Sequence, residues 1–177
     1  MKQILTAMLA GTKLFSAVSC GKDNDDSNKN GYSSPEKAFE AYADAMTNWD
    51  AEKMLTLIPE DYIERAKEVK DFDSDEELNK KMLTALQSTW TVGKGTGDIV
   101  LQKIEHKDKE YVKFASDLME YNKEKLGKEI EYTDFCLTHC DVKEEKYWRI
   151  TGDDSYIEFY KHDEKWYSLN ALYYIVN

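Results

Sequence analysis

Apolar residues recur at helical spacing in the first half of the chain beyond residue 33. Ser34 and Pro35 are typical of a helix start, because serine caps free N–H groups and proline fits the first turn. Asp50 marks a second start, and Pro59 ends that helix. Four helices are predicted, with apolar faces formed by Ala38, Phe39, Tyr42, Ala43, Met46 and Trp49, by Met54, Leu55 and Ile58, by Tyr62, Ile63 and Ala66, and by Leu78, Met82, Leu83 and Leu86.

The second half has a different pattern. Residues 99–104 alternate as in a strand, whereas residues 109–126 fit a helix that ends at Gly127. From residue 130 onward, β-branched and aromatic residues form short runs at 130–137, 147–150, 155–161 and 165–176, and Asp163-Glu164 suits a hairpin turn. Helices first and strands last predict an α+β domain, in which N-terminal helices cover one face of a curved antiparallel sheet.

The first nineteen residues have the pattern of a secretory signal. Lys2 gives a positive start, and an apolar stretch follows that ends in small residues. A permanent membrane span needs about 20 nearly uninterrupted apolar residues, and Lys13 would cost roughly 2.5 to 3.5 kcal/mol at the bilayer centre. Residues 1–19 are therefore predicted to be a signal peptide rather than a span.

The four residues Ala17-Val18-Ser19-Cys20 resemble the lipobox of bacterial lipoproteins. In that motif, small residues precede a cysteine that is acylated and becomes the new N-terminus. The resemblance implies that Cys20 carries lipid, such as palmitate, and anchors the mature chain to a membrane. An ordinary secretory signal and a buried cysteine are the alternatives.

A short acidic run, Lys22-Asp23-Asn24-Asp25-Asp26, follows the cysteine. It resembles the export signal that sends Bacteroidetes-type lipoproteins to the outer face of the outer membrane, which implies a cell-surface address. A solvated polar tether is the other interpretation, and both can hold at once. Residues 20–33 are too polar to bury a core, so they are predicted to be a flexible tether before one domain at residues 34–177.

The charge of the mature chain excludes one class of partner. Removal of residues 1–19 takes two lysines, which leaves 22 basic against 35 acidic residues and a formal charge of −13. Such a surface repels phosphate backbones, and no basic stripe offsets it. The sequence therefore predicts no nucleic-acid partner.

Two further cysteines lie close together, at Cys136 and Cys140. On a strand they would be about 13 Å apart, which is too far for a disulfide unless a turn intervenes. With His139 they supply three metal ligands in five residues, but no second cluster completes a zinc-type site. Buried thiols are the favoured interpretation, and a turn-spanning disulfide and a metal site are the alternatives. No metal and no cofactor are predicted.

Three stretches of the domain resemble one family. They are Ser-Pro-Glu-Lys-Ala-Phe-Glu-Ala-Tyr at 34–42, Asn-Trp-Asp-Ala-Glu-Lys at 48–53 and Asp-Glu-Lys-Trp-Tyr at 163–167. Together they look like small bacterial lipoproteins of unknown function with the nuclear-transport-factor-2-like cone fold, which also includes the SnoaL-like proteins. The helix predicted at 109–126 departs from that family, where this region normally holds strands. The fold hosts both enzymes and binders, so it does not choose a function.

Aromatic residues crowd the predicted terminal hairpin, which includes Tyr173 and Tyr174. One alternating set should face the interior of the cone, where such folds bind ligands. We therefore expect ligand contacts from four of these residues, Tyr156, Tyr160, Trp166 and Tyr167. Core packing is the alternative role for the same side chains.

A ketosteroid-isomerase-like or SnoaL-like enzyme would need an acid or base inside that pocket. The candidates are Asp134, His139, Asp153, Asp154 and His162, whereas His106 lies in a lysine-rich, solvated segment. None of them belongs to a recognisable catalytic constellation. The favoured function is therefore a membrane-anchored lipoprotein that binds a small molecule, a glycan or a protein. An enzyme and a structural or inhibitory partner of another envelope protein are the alternatives.

Overall fold

The computed structural model describes residues 30–89, 97–144 and 156–177. Its elements in chain order are α1 (Pro35–Asn48), α2 (Ala51–Leu55), α3 (Glu60–Lys70), α4 (Asp75–Thr89), β1 (Gly97–His106), α5 (Lys109–Ala115), α6 (Asp117–Leu126), β2 (Asp134–Glu144), β3 (Tyr156–His162), β4 (Lys165–Ser168) and α7 (Leu169–Val176). The α+β class and the helical first half are confirmed. Within the described residues, no helix has the length and apolar character needed to cross a membrane. The predicted signal, Cys20 and the run at 147–150 lie outside these ranges.

The helix starts follow from local hydrogen bonds. Ser34 accepts from the backbone N–H of Lys37, with Pro35 in the first turn of α1. Asp50 accepts from the N–H of Lys53 and so caps α2. The single helix predicted at 109–126 is two helices, because the backbone leaves helical geometry at Ser116, whose side chain caps α6.

The four strands form one antiparallel sheet in the order β1-β2-β3-β4. Asp163 and Glu164 join β3 to β4, and both have positive φ, as a two-residue hairpin turn requires. Tyr160 of β3 lies opposite Phe135 of β2 and Tyr167 of β4, so these three rings share one face. The predicted terminal hairpin is confirmed.

The prediction of one strand over residues 165–176 is wrong beyond Ser168. That serine accepts a hydrogen bond from the N–H of Ala171 and so starts α7. Leu169, Leu172 and Ile175 then recur at helical spacing, and all three are fully buried. A short, continuous apolar run suits a buried strand and a buried helix equally well, so tertiary packing decides between them.

The sheet is strongly curved. The rings of His106 on β1 and Trp166 on β4 have centroids 5.9 Å apart, although β2 and β3 lie between these strands and flat spacing would place the backbones about 14 Å apart. Helix α1 packs on the same face, where Tyr42 makes an edge contact with Phe159 at 6.1 Å. This face holds much of the core.

The other face of the sheet is also covered. Glu158 of β3 contacts Ser116 at the α5–α6 junction, and His162 contacts Tyr62 of α3. Residues 157–160 are consequently all buried, whichever face they point to. The expectation that helices cover one face is therefore wrong, since helices pack on both.

Candidate ligand-binding cleft around His162

A cleft of about 870 Å³ lies where the start of α3, the β3–β4 turn and the loop before β2 meet. We call it the His162 cleft. Pro59 starts α3 at one wall, and Glu131 lies on the loop that forms another. The tight turn after His162 places Asp163 and Tyr167 on a third wall. Asn30, whose carbonyl oxygen accepts from the Tyr167 hydroxyl, adds a fourth segment, so four separate segments of the chain contribute to one concave surface.

The side chain of His162 is held from several directions. Its Nδ1 lies 3.1 Å from the carbonyl oxygen of Glu131, so Nδ1 carries the proton and donates it. Its Nε2 lies 3.5 Å from a carboxylate oxygen of Asp163 and 3.9 Å from one of Asp61. The ring also packs on Tyr62, with centroids 5.4 Å apart. Only 12% of the side chain is exposed, so His162 has little freedom to move.

Carboxylates dominate the rim of this cleft. Lys165 lines the cleft as well, but the carboxylates outnumber it. There are five of them: Glu60, Asp61, Glu64, Glu131 and Asp163. Glu64 is paired with Lys67 at 2.8 Å, whereas the side chains of Glu60 and Glu131 have no ion pair among the described residues. A concave surface with one sign of charge concentrates ligands of the opposite sign. The His162 cleft therefore favours cations and repels anions.

One carboxylate of the cleft, Asp61, already pairs with an ammonium group. The Nζ of Lys128 lies 2.6 Å from a carboxylate oxygen of Asp61 and 4.7 Å from the centroid of the Tyr62 ring. A carboxylate beside an aromatic face is the arrangement that binds ammonium ions. Burial raises the pKa of Tyr62 to about 12, so the phenol is neutral at ordinary pH. Its hydroxyl accepts a hydrogen bond from the N–H of Glu131.

Tyr160 is a buried residue next to the His162 cleft. The side chain is fully buried, and its hydroxyl has no hydrogen-bond partner among the described residues. The ring centroids of Tyr160 and Tyr167 are 5.9 Å apart. Burial raises the pKa of Tyr160 well above its usual value, and the nearby Tyr62, Tyr167 and Asp61 add to that effect. Tyr160 is therefore a neutral, unpaired group close to the cleft.

The four expected ligand-contact residues do not share one site. Tyr167 lines the His162 cleft, and Tyr160 lies behind it. Trp166 is on the opposite face of β4, against His106. Tyr156 is 42% exposed at the start of β3, with its ring near His139. Tyr173 and Tyr174, expected on the hairpin, belong to α7.

The candidate acids and bases are also separated. His162 lines the cleft, whereas His139 on β2 is 3.1 Å from Glu105 on β1. A carboxylate oxygen of Asp134 lies 3.2 Å from the Nδ1 of His106, and Asp134 is therefore the partner of His106. Asp153 and Asp154 lie outside the described residues.

Cys136 and Cys140 are free thiols in β2, and both are buried. Burial raises the pKa of Cys136 to about 12 and that of Cys140 to about 11. Because the thiolate is the reactive form, both groups are poor nucleophiles near neutral pH. The interpretation of these residues as buried thiols is confirmed.

Glu158 is a buried carboxyl that the sequence pattern did not single out. It is 5% exposed, accepts a hydrogen bond from Ser116 Oγ at 2.9 Å, and has a second oxygen with no partner among the described residues. Burial raises its pKa to about 7. The available signal was its position, since this glutamate interrupts an otherwise apolar and aromatic run at residues 156–160.

The His162 cleft can bind a ligand by charge and by ring contact. Within the described ranges, no three acidic, histidine or cysteine side chains are grouped closely enough to hold a metal ion. No family model matches the chain, and neither curated proteins nor solved structures match it.

Proposed function

We propose that the chain is a lipid-anchored protein of the bacterial envelope whose domain binds a small cationic ligand in the His162 cleft without chemical turnover. The observation that carries the binding proposal is one concave surface that combines five carboxylates with the rings of His162 and Tyr167. Carboxylates attract the cation over a distance, and the rings supply apolar contact once it arrives. The membrane anchor rests on the lipobox-like motif that ends at Cys20.

The proposal also includes a specific fold type and a specific location. The first is a nuclear-transport-factor-2-like cone, which is supported by the curved sheet around α1 and by the contact of His106 with Trp166. The helices α5 and α6, inserted between β1 and β2, are the main departure from that pattern. The second is exposure on the outer face of the outer membrane, for which the support is the acidic run after Cys20.

An enzyme of the ketosteroid-isomerase type is the second candidate. Glu158 favours it, because a carboxyl whose pKa is about 7 suits proton transfer at neutral pH. A general acid or base must reach its substrate, however, and Glu158 is 5% exposed, with Ser116 bonded to one of its oxygens. Binding without turnover is therefore the stronger proposal.

The binding proposal is tested by a thermal-shift screen of the mature chain that starts at residue 20, with Cys20→Ser to keep it in solution. The probes are spermidine, putrescine, choline and arginine, with succinate and glucose as anionic and neutral controls. A ligand that binds only the folded state stabilises it by about 2.7 kcal/mol at a concentration 100 times its Kd. We expect stabilisation by at least one cation and none by succinate.

The matched variants locate the site. Glu60→Gln with Asp163→Asn removes two lining charges, and asparagine tolerates the positive φ at position 163. Glu110→Gln removes one charge from the exposed surface of α5, away from the cleft. The first variant should lose the stabilisation and the second should keep it. Stabilisation that survives both changes would place the ligand elsewhere.

A further inference from the structure

A second cavity, of about 600 Å³, lies between the α1–α2 junction and helix α4. We call it the Trp49 cavity. Trp49 and Asp50 line it from the junction, and Glu76, Asn79 and Leu83 line it from α4. It shares no lining residue with the His162 cleft. The Trp49 cavity is therefore a separate surface with its own chemistry.

Two of the residues that line this cavity each carry an unpaired polar group. The indole Nε1 of Trp49 and the amide Oδ1 of Asn79 are buried, and neither has a hydrogen-bond partner among the described residues. Buried donors and acceptors are almost always paired, because an unpaired one destabilises the fold. If the oxygen and nitrogen of the Asn79 amide were exchanged, an unpaired donor would replace the unpaired acceptor. Asn79 would therefore still carry one unpaired polar atom. Two residues on opposite sides of the cavity, at the end of α1 and in α4, thus hold a donor and an acceptor that lack partners.

Trp49 is also an unusual residue for its position. Its φ of 55° and ψ of 41° are left-handed, and its N–H closes helix α1 by donating to the carbonyl oxygen of Ala45. Glycine and asparagine are the residues that normally occupy this position, because other side chains are strained there. Asp71 closes α3 with nearly the same angles, so the conformation itself is an ordinary helix end. What differs at Trp49 is the large aromatic side chain that the conformation directs to the junction of α1 and α2.

We propose that the Trp49 cavity binds a neutral sugar residue. A hydroxyl group both donates and accepts hydrogen bonds, so sugar hydroxyls can pair with Trp49 Nε1 and with Asn79 Oδ1. The C–H surface of the sugar ring can pack on the indole and on Leu83, which is 36% exposed.

The charges around the cavity favour the same ligand. Asp50, Glu52 and Glu76 line it together with Lys80, so carboxylates outnumber the lysine and disfavour an anion. The same carboxylates can accept from further hydroxyls. Because Nε1 and Oδ1 are shielded from water, the side chains that cover them must move when a ligand binds.

The proposal is tested on the mature chain that carries Cys20→Ser, with nitrogen-15 NMR of the indole N–H groups. The probes are the methyl glycosides of glucose, galactose, mannose and N-acetylglucosamine, and Trp49→Phe assigns the Trp49 resonance. We expect at least one glycoside to shift that resonance in a saturable manner. The shift is measured on the chain with Trp49 intact, and Trp49→Phe serves only to identify the resonance.

Variants then test the two hydrogen bonds separately. Trp49→Phe and Asn79→Leu should each weaken the affinity about tenfold or more, since each removes one partner group. Trp166→Phe alters a tryptophan on β4 outside the cavity and should leave the affinity unchanged. The absence of any saturable Trp49 shift would overturn the proposal. A shift caused by N-methylacetamide but by no glycoside would also overturn it, because it would assign the cavity to an amide ligand.

Discussion

The buried carboxyl of Glu158 should make the stability of the protein depend on pH in a specific way. Its surroundings offer one hydrogen bond, from Ser116 Oγ, and leave the second oxygen unpaired within the described part of the chain. Such a site holds a neutral acid more easily than a carboxylate. Glu158→Gln mimics the neutral acid in shape, and its amide oxygen can still accept from Ser116.

The size of the effect follows from the pKa. Burial raises the pKa of Glu158 from 4.5 to about 7. A tenfold change in proton affinity corresponds to about 1.4 kcal/mol, so the folded state loses about 3 kcal/mol when this group ionises. Because the folded state binds the proton more tightly than the unfolded state, protonated Glu158 stabilises the fold fully below about pH 4.5. This stabilisation is lost as the pH rises to about 7. Above that pH, the contribution of Glu158 to the free energy of unfolding no longer changes.

Urea unfolding from pH 4.5 to pH 8 measures this contribution. Other carboxylates also titrate over this range, so the informative quantity is the free energy of unfolding of Glu158→Gln minus that of the wild type. The difference should be near zero at pH 4.5 and should reach about 3 kcal/mol in favour of the variant at pH 8. Glu110→Gln, at an exposed position, should show no such trend. A difference for Glu158→Gln that does not change with pH would refute the reasoning.

Three further predictions concern the core, the anchor and the address. Phe39 is 3% exposed, so Phe39→Ala should lower the free energy of unfolding by roughly 3 to 5 kcal/mol in denaturant melts. The control Leu83→Ala, at a site that is 36% exposed, should lower it by less than about 1 kcal/mol. Equal losses in the two variants would show that the burial of α1 is misjudged. Cys20→Ala should abolish labelling by a palmitate analogue and release the protein from membranes, and an unlabelled wild type in its native host would contradict the anchor. Alanine at the acidic positions of residues 23–26 should protect the protein from protease shaving of intact cells, and equal cleavage of both forms would count against the surface address.

Local signals determined much of the fold. Ser34, Pro35 and Asp50 start their helices through short-range hydrogen bonds and fixed dihedral angles, so the sequence alone locates them. The hairpin turn at 163–164 is local in the same sense. By contrast, the segment from Leu169 is apolar at nearly every position, and its helical state depends on burial against the rest of the domain.

The candidate site depended on contacts that are distant in sequence. His162 was a candidate from its type alone, but its partners Asp61, Tyr62 and Glu131 come from two other segments. Nothing in the spacing along the chain reveals that these groups meet. Glu158 was missed for a related reason, because its burial results from the α5–α6 junction that packs over β3.

The central claim is that a cation binds in the His162 cleft. Its most direct test is a titration of the isotopically labelled mature chain with each of the four cations, spermidine, putrescine, choline and arginine, followed through the backbone amides of residues 161–167 and the imidazole signals of His162; at least one cation should bind. We predict saturable shifts confined to this turn, to the start of α3 and to the neighbourhood of Glu131, weaker at higher salt because exposed charges are screened. Absence of saturation, or equal shifts with succinate, would contradict the claim.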